Sequence, residues 1–528
     1  MSDRLRTLAA VLLLGTLVQP VAWGVTFVDA DATGADDGSS WANAYTRLGD
    51  ALAATASGQI WVAAGTYRPG GPGERRATFR LRRGVAILGG FAGTETAVEQ
   101  RDPVANPTIL SGDLLGDDFE RWANGHFAWA NVLDNSWHVV TAEGPEGSGV
   151  LSGVVISHGA GYGPAVDFSD VVGAGLLVRG AAPLLLGVRF DGNGGQFGAA
   201  VGVLDGSVLL VGCELVHNYV DIGAGGAIYG DATSRVLVVT SSFRENASIG
   251  SDFTAGRGGA IATEPGSTLL VDRSAFVANF AGFRTNLLGQ QPTRGGAVSA
   301  LGDTNLVFSS RFVGNRAHLG GALDIAGLGI VRGSAFSGNE AHEERVSGLA
   351  PAGAGGAVMA AGTALLIGNT VGHNRATDTA GGIYVLGEAT IANSILFGNT
   401  AAVEEPTLRM QIHHATGAQS QIAFSLVEGL FAPIPGEDPV DPADVPGSID
   451  ADPRFVLAAG VDGMIGTADD DLRLDAGSPA VDAGHNGLDL LDLDGRDLAG
   501  GPRRKDDPAV ADTGVGPPPV VDMGAYER

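Results

Sequence analysis

The sequence predicts an all-β chain wound as a right-handed parallel β-helix, with a short N-terminal capping helix and a loop-rich C-terminal tail. Three observations predict it. A Phe-x-x-Asn pattern recurs at Asn193, Asn218, Asn246, Asn279, Asn315, Asn339, Asn374 and Asn399. A second pattern, Gly-Gly, then Ala or Ile, then an apolar residue, starts at Gly225, Gly258, Gly295, Gly320, Gly355 and Gly381. From the second Gly to the next Asn is always 17 to 20 residues, whereas from Asn to the first Gly is 7, 12, 16, 5, 16 and 7 residues. A unit with one fixed part and one elastic loop is one coil of a solenoid.

Within the fixed part the side chains are specified position by position. Three before each Asn stand Phe190, Leu215, Phe243, Phe276, Phe312, Phe336, Val371 and Leu396, all large and apolar. Eight before it stand Leu185, Leu210, Val238, Val271, Val307, Val331, Leu366 and Ile391, all aliphatic. Five before it the residues are small or polar: Val188, Cys213, Ser241, Ser274, Ser310, Ser334, Asn369 and Ser394. Positions −5 and −3 share a face by strand alternation. The aliphatic at −8 breaks that alternation by one residue, so a turn at −6 or −7, often Gly or Ser, must restore it to the interior. Identical positions then stack about 4.8 Å apart from coil to coil, and each buried Phe or Leu contributes roughly 1.5–3 kcal/mol. The Asn is expected to take a left-handed turn conformation and to bond its amide along the stack. Parallel crossovers favour the right-handed sense. The helix-bearing leucine-rich pattern, the Trp-Asp propeller signature and the Asp-rich nonapeptide repeat are absent.

The ends differ from the middle. Residues 1–24 read as a signal peptide: Arg4 and Arg6, an apolar stretch from Leu8 to Val18, and small residues Ala22 and Gly24 ahead of Val25. That stretch is shorter than a membrane span needs. An N-terminal cap and irregular first coils occupy 25–150, with one amphipathic helix in 44–56 presenting Tyr45, Leu48 and Leu52 on one face. The repeat domain covers 151–431, a Pro- and Asp-rich linker or loop 432–447, and the tail 448–528. Cys213 is the one cysteine, so there is no internal disulfide and no cysteine-based zinc site. A net charge of −27 sets the surface against nucleic acid and anionic lipid.

The GGA[IVL] and FxxN motifs resemble those of polymorphic outer-membrane protein repeats. The opening VDADATGADDGSSWANAY, VAAGTY and LGGFAGTE, and the closing DPRF, LRLDAGSPAVDAG and VDMGAYE, resemble secreted bacterial β-helix proteins with a choice-of-anchor Q domain. The resemblance implies export, extracellular or surface placement and an adhesive or binding role, on the pectate-lyase-like winding. It supplies no reaction. No apolar tail or basic anchor follows the last motif, so free secretion is expected alongside attachment.

Chemistry is tested on the ladders, because pectate lyases and polygalacturonases share this winding. A lyase needs clustered acids for calcium and an Arg or Lys base, and a hydrolase needs paired carboxylates. Positions −1 and −2 hold only scattered charges, among them Asp191, His217, Arg244 and Glu245, and no acidic patch is read from them. The predicted role is therefore non-catalytic binding of a polysaccharide or cell-surface protein. The alternative is a polysaccharide lyase or glycoside hydrolase. Binding is expected on the elastic loops 219–224, 247–257, 280–294, 316–319, 340–354 and 375–380, through Phe253, Arg257, Phe283, Arg284, Arg294 and Arg345. Asp492, Asp494 and Asp497 frame a Gly turn similar to calcium loops, and calcium is the cofactor this pattern suggests. His413 and His414 are adjacent in a strand, point to opposite faces and are expected to be exposed.

Overall fold

The computed structural model describes residues 24–123, 126–163, 167–250, 255–283, 292–342, 353–402, 406–489 and 495–528. The chain is a parallel β-helix; among the described residues its coils form four sheets, with 13, 12, 9 and 11 strands, numbered 1 to 4 in the order each coil visits them. One coil runs Ser207–Val211, Glu214–Val216, Tyr219–Ala224 and Ile228–Gly230, and Arg235–Val239 then returns to sheet 1. Sheet 1 opens with Val25–Val28 and ends with Gln419–Ala423. Among the described residues no helix is long and apolar enough to cross a membrane. The signal-peptide stretch lies outside the described residues, apart from Gly24.

The inward ladders follow the sequence. Val238, Val271, Val307 and Val331 are register partners in sheet 1 and are fully buried. Phe243, Phe276, Phe312 and Phe336 are partners in sheet 2, their rings stacked at 4.7, 4.8 and 4.7 Å with interplanar angles of 3–8°. The −5 residues form a polar ladder: Ser241 N–H donates to Ser274 Oγ at 3.1 Å, and Ser274 N–H to Ser310 Oγ at 3.1 Å. Cys213 sits in this ladder, 2% exposed, and burial pushes its thiol up to about 11.

The Asn ladder satisfies every polar atom it buries. Asn246 Nδ2 donates to Asn279 Oδ1 at 3.0 Å and to Leu215 O at 2.9 Å, while Asn246 N–H donates to the same Asn279 oxygen at 3.1 Å. Gln411 ends the run, its Oε1 accepting from Asn399 Nδ2 at 2.7 Å. One expectation is corrected here. The left-handed residue is the one before each Asn, not the Asn itself: His217, Glu245, Ala278 and His373 have φ of 54–58°. The Asn is thereby left free to aim its amide along the stack. The predicted turn at −6 is a second left-handed corner, at Gly212, Thr240, Arg273, Ser309 and Gly333. The first glycine of each pair is a third, and in the last repeat Ala380 takes its place, so that motif starts one residue earlier. The second glycine is needed for space: a Cβ on Gly259 would lie 2.1 Å from Gly296 O.

The elastic segments are not wholly loop. Each begins as a strand of sheet 3, such as Ala247–Gly250, Phe280–Phe283, Arg316–Ala317 and Arg375–Ala376. Parallel pairing requires only backbone groups, so these short strands leave no apolar alternation in the sequence.

Helix Leu48–Ala54 caps the first coil with Leu48, Ala51 and Leu52 buried. The 432–447 segment is a lid at the other end, where Val445 joins the core and Val440 packs on it. The tail folds back along the outside of sheets 1 and 2. Arg311 Nη2 donates to Asp470 O at 3.1 Å, Ala525 N–H to Thr370 Oγ1 at 3.0 Å, and Gly524 N–H to Asn393 O at 2.7 Å. Its docking buries ions: Arg332 Nη2 meets Asp489 Oδ1 at 3.1 Å, and Arg503 Nη1 meets Glu527 Oε1 at 2.7 Å.

Phe276→Ala is expected to cost about 3–5 kcal/mol by cavity formation, read as a lowered denaturant midpoint. Val104→Ala, at a side chain 92% exposed, should leave the unfolding free energy within about 0.5 kcal/mol of the parent.

Candidate functional site

A close-set group of titratable side chains lies on the outward face of sheet 2, in coils where strand alternation turns every second residue to solvent. Strands Arg189–Asp191, Glu214–Val216 and Ser242–Arg244 are neighbours, pairing Arg189 with Glu214 and Val216 with Arg244. Arg189 Nη1 meets Glu214 Oε2 at 2.6 Å and Arg189 Nη2 meets Asp191 Oδ2 at 2.8 Å. Arg244 reaches the other Glu214 oxygen at 3.1 Å. His217 stands between two acids, with Nδ1 at 3.6 Å from Asp191 and Nε2 at 3.4 Å from Glu245. The hydrogen bond to Asp191 and the charges of Asp191 and Glu245 raise the His217 pKa, against the effect of burial. Burial works against the Asp191 charge, yet His217 and Arg189 hold that carboxyl below the usual range.

This mixed cluster of acids, arginines and a histidine is not visible from positions −1 and −2 alone. The acids and arginines at −4 (Arg189, Glu214) interleave with those at −2 and −1 in adjacent coils. Reading position −4 beside positions −2 and −1 would have found them.

A two-stranded hairpin, Phe119–Ala123 with His126–Ala130, stands beside this face. Trp129 packs edge-on against His158 at 4.3 Å and fills the space over Gly192, where a Cβ would lie 2.0 Å from Trp129 Nε1. Burial lowers the His158 pKa, opposed by the charges of Asp113 and Asp191. At the base of the hairpin Asp113 accepts from the amide of Gly116 at 2.6 Å, and Asp118 accepts from Asn135 Nδ2 at 2.7 Å. Burial, with Asp113, Asp134 and Asp117 nearby, pushes the Asp118 carboxyl up to about 7. The N-terminal coils thus hold an acid with a raised pKa, an acid with a lowered one and two histidines shifted in opposite directions, a pattern suited to proton transfer.

A second feature is an open groove across the first strands of sheet 4. Its two adjoining parts, about 520 and 410 Å3, share Thr78, Arg80, Thr141 and Glu143. Arg76 lies over the Trp137 ring at 4.4 Å, and Arg80, Arg82 and Arg83 are exposed along the wall. Arg82 donates to Leu52 O, and Arg179 pairs with Glu143 at 2.7 Å. Arg76, Arg80 and Arg83 have no carboxylate partner among the described residues.

The residues proposed from sequence are dispersed. Arg257 pairs with Glu264 at 2.5 Å. The backbones of Arg257 and Arg294 bridge each other beside sheet 4. On that face Asp324 is fully buried, accepting from Ser299 Oγ at 3.1 Å. Burial pushes its carboxyl to about 6, opposed by Arg294 and Arg257. Phe253, Arg284 and Arg345 lie outside the described residues, as does the side chain of Phe283, whose backbone ends strand Phe280–Phe283. Asp492 and Asp494 also lie outside them, whereas Asp497 accepts from the amides of Gly501 at 2.6 Å and Glu527 at 3.0 Å. His413 is corrected from exposed to half-buried: it stacks on Tyr384 at 5.8 Å and bonds Thr379 at 2.9 Å, because Tyr384 is its register partner in sheet 4.

The raised His217 pKa gives a signed prediction. Its ion pairs contribute stability fully present below pH 6.5 and lost as pH rises through the higher folded-state value. Ring-proton NMR should show His217 titrating above 6.5, and Asp191→Asn should lower that value. At Asp324 the sign is that of a raised acid: the protonated form favours folding below pH 3.8, and that advantage is lost as pH rises through about 6. Asp324→Asn should gain roughly 3 kcal/mol or less at pH 7 and nothing below pH 3.8, measured by melting across pH.

No protein-family model matches the chain, and no curated protein matches it in sequence. Among solved structures it is similar to the crystal structure of pectate lyase Pel9A, at 14% identity and a TM-score of 0.40, over 96% of this chain and 96% of that one.

Proposed function

We propose that the protein is an exported, non-catalytic β-helix that binds an acidic polysaccharide along its N-terminal coils. The observation that carries this reading is the set of arginines without carboxylate partners, Arg76, Arg80 and Arg83, in one open groove of a chain whose net charge is −27. Where acids outnumber bases, a guanidinium finds a protein carboxylate easily. Three that do not are kept for an external anion, and the planar donor fork of Arg suits a carboxylate. Trp137, under Arg76 at 4.4 Å, holds that guanidinium in the groove. The groove is open along its length, as a polymer requires.

A second reading, a polysaccharide-active enzyme, is favoured by the opposed pKa shifts of Asp118, Asp191, His158 and His217. It stands second because Asp191 and Glu214 are each neutralised by arginine.

Calorimetry with polyuronate and neutral glucan separates the two readings when run with reducing-end and unsaturated-product assays. The binding reading expects uronate to bind with an affinity that falls as salt rises, and no new chain ends. Arg76→Ala with Arg80→Ala should weaken binding at least tenfold. Product formation that Asp191→Asn or His217→Ala abolishes would establish the enzyme instead.

A further inference from the structure

The tail carries a second constellation, remote from both faces described above. Asp482, Asp506 and Asp512 each bring a carboxylate oxygen within 4.8 Å of the other two. Asp506 and Asp512 are exposed, but Asp482 is fully buried, and neither of its carboxylate oxygens has a hydrogen-bond partner. A buried carboxylate without a donor costs several kcal/mol, on the order of the penalty for desolvating an ion. The charges acting on Asp482 belong to Asp512 and Asp506, and both are negative, so the cluster repels itself as it stands.

The backbone holds this arrangement in place. Asp482 N–H donates to Asp522 Oδ1 at 2.7 Å, and Asp482 O accepts from the amides of Thr513 and Gly514, both at 3.0 Å. These bonds fix the Asp482 backbone against the turn that carries Asp512.

We propose that Asp482, Asp506 and Asp512 bind one hard divalent cation, Ca2+, which ties the 506–514 turn to the 480–484 segment of the tail. Calcium takes oxygen ligands at about 2.3–2.6 Å, so two ligands across the ion stand about 4.8 Å apart. That is the largest separation two ligands of one ion need, and the three carboxylate oxygens all lie within it of one another. The absence of nitrogen and sulfur donors in the set disfavours zinc and copper. With two exposed acids the outer side is open to water, which completes a shell of six to eight oxygens. The buried acid gains the counter-charge it lacks.

The test is calcium titration of the chelator-treated full chain, by calorimetry and by thermal melting. Expected are one bound Ca2+ at this site and a melting midpoint raised by millimolar Ca2+, with Mg2+ weaker. Asp506→Asn and Asp512→Asn, both at exposed positions, should each weaken binding at least tenfold without unfolding the protein. Asp482→Asn should invert the order of stabilities: above the parent in chelator, where it removes an unpaired charge, and below it in calcium. The double variant Asp492→Asn/Asp494→Asn, at the acids for which the sequence suggests a calcium loop, should keep the site. Failure of Ca2+, Mg2+ and Mn2+ to bind would overturn the assignment. So would an affinity unchanged in Asp506→Asn and Asp512→Asn, or one lost only in the double variant.

Discussion

Everything in this protein depends on parallel coils held in one register, so that like side chains lie over like. Four sheets of parallel pairing fix that register, and the inward ladders make it favourable. A Phe over a Phe at 4.7 Å, with the rings nearly parallel, matches the spacing of the coils. The Asn ladder guards the register in another way. Each amide oxygen receives both the side chain and the backbone of the Asn before it, so a slip of one residue would bury several unmatched donors at once.

The same stacking creates the outward chemistry. On a solenoid, residues 25 or 30 positions apart are surface neighbours, which is how Arg189 reaches Glu214 and Glu214 reaches Arg244. The excess acid is distributed unevenly over this surface. On sheet 2 the acids are taken up by arginine and histidine. In the sheet 4 groove Arg76, Arg80 and Arg83 stand without carboxylate partners among the described residues, and in the tail the acids crowd one another. These three places are chemically distinct, though they share one scaffold.

The tail is a second layer and not an extension. It covers the corner between sheets 1 and 2 and brings Asp489, Arg503 and Glu527 into a buried seam with Arg332. Ions buried in this way add little net stability, but removing one partner leaves another stranded. The seam therefore specifies where the tail docks. It also explains why the tail, though almost devoid of strands, is ordered against the coils: its backbone bonds run to Thr370 and Asn393.

The amino-acid sequence by itself determined the winding, the inward ladders, the position of the first corner and the capping helix. These depend on which residue types recur at fixed spacing, and Phe243, Phe276 and Asn279 carry that information locally. It also identified Arg257, Arg294 and Asp497 as polar residues on irregular segments, but not what they touch. Only the tertiary structure decided that Arg257 spends its charge on Glu264 and that Asp497 clasps a turn. Likewise it alone showed sheet 3, the left-handed residue before each Asn, and the meeting of Arg332 with Asp489 across 157 residues of chain. The physical reason is one of range. Periodicity encodes what a residue does within its own coil, whereas charge pairing, burial of a lone carboxylate and the docking of a tail depend on which distant residue arrives at the same surface.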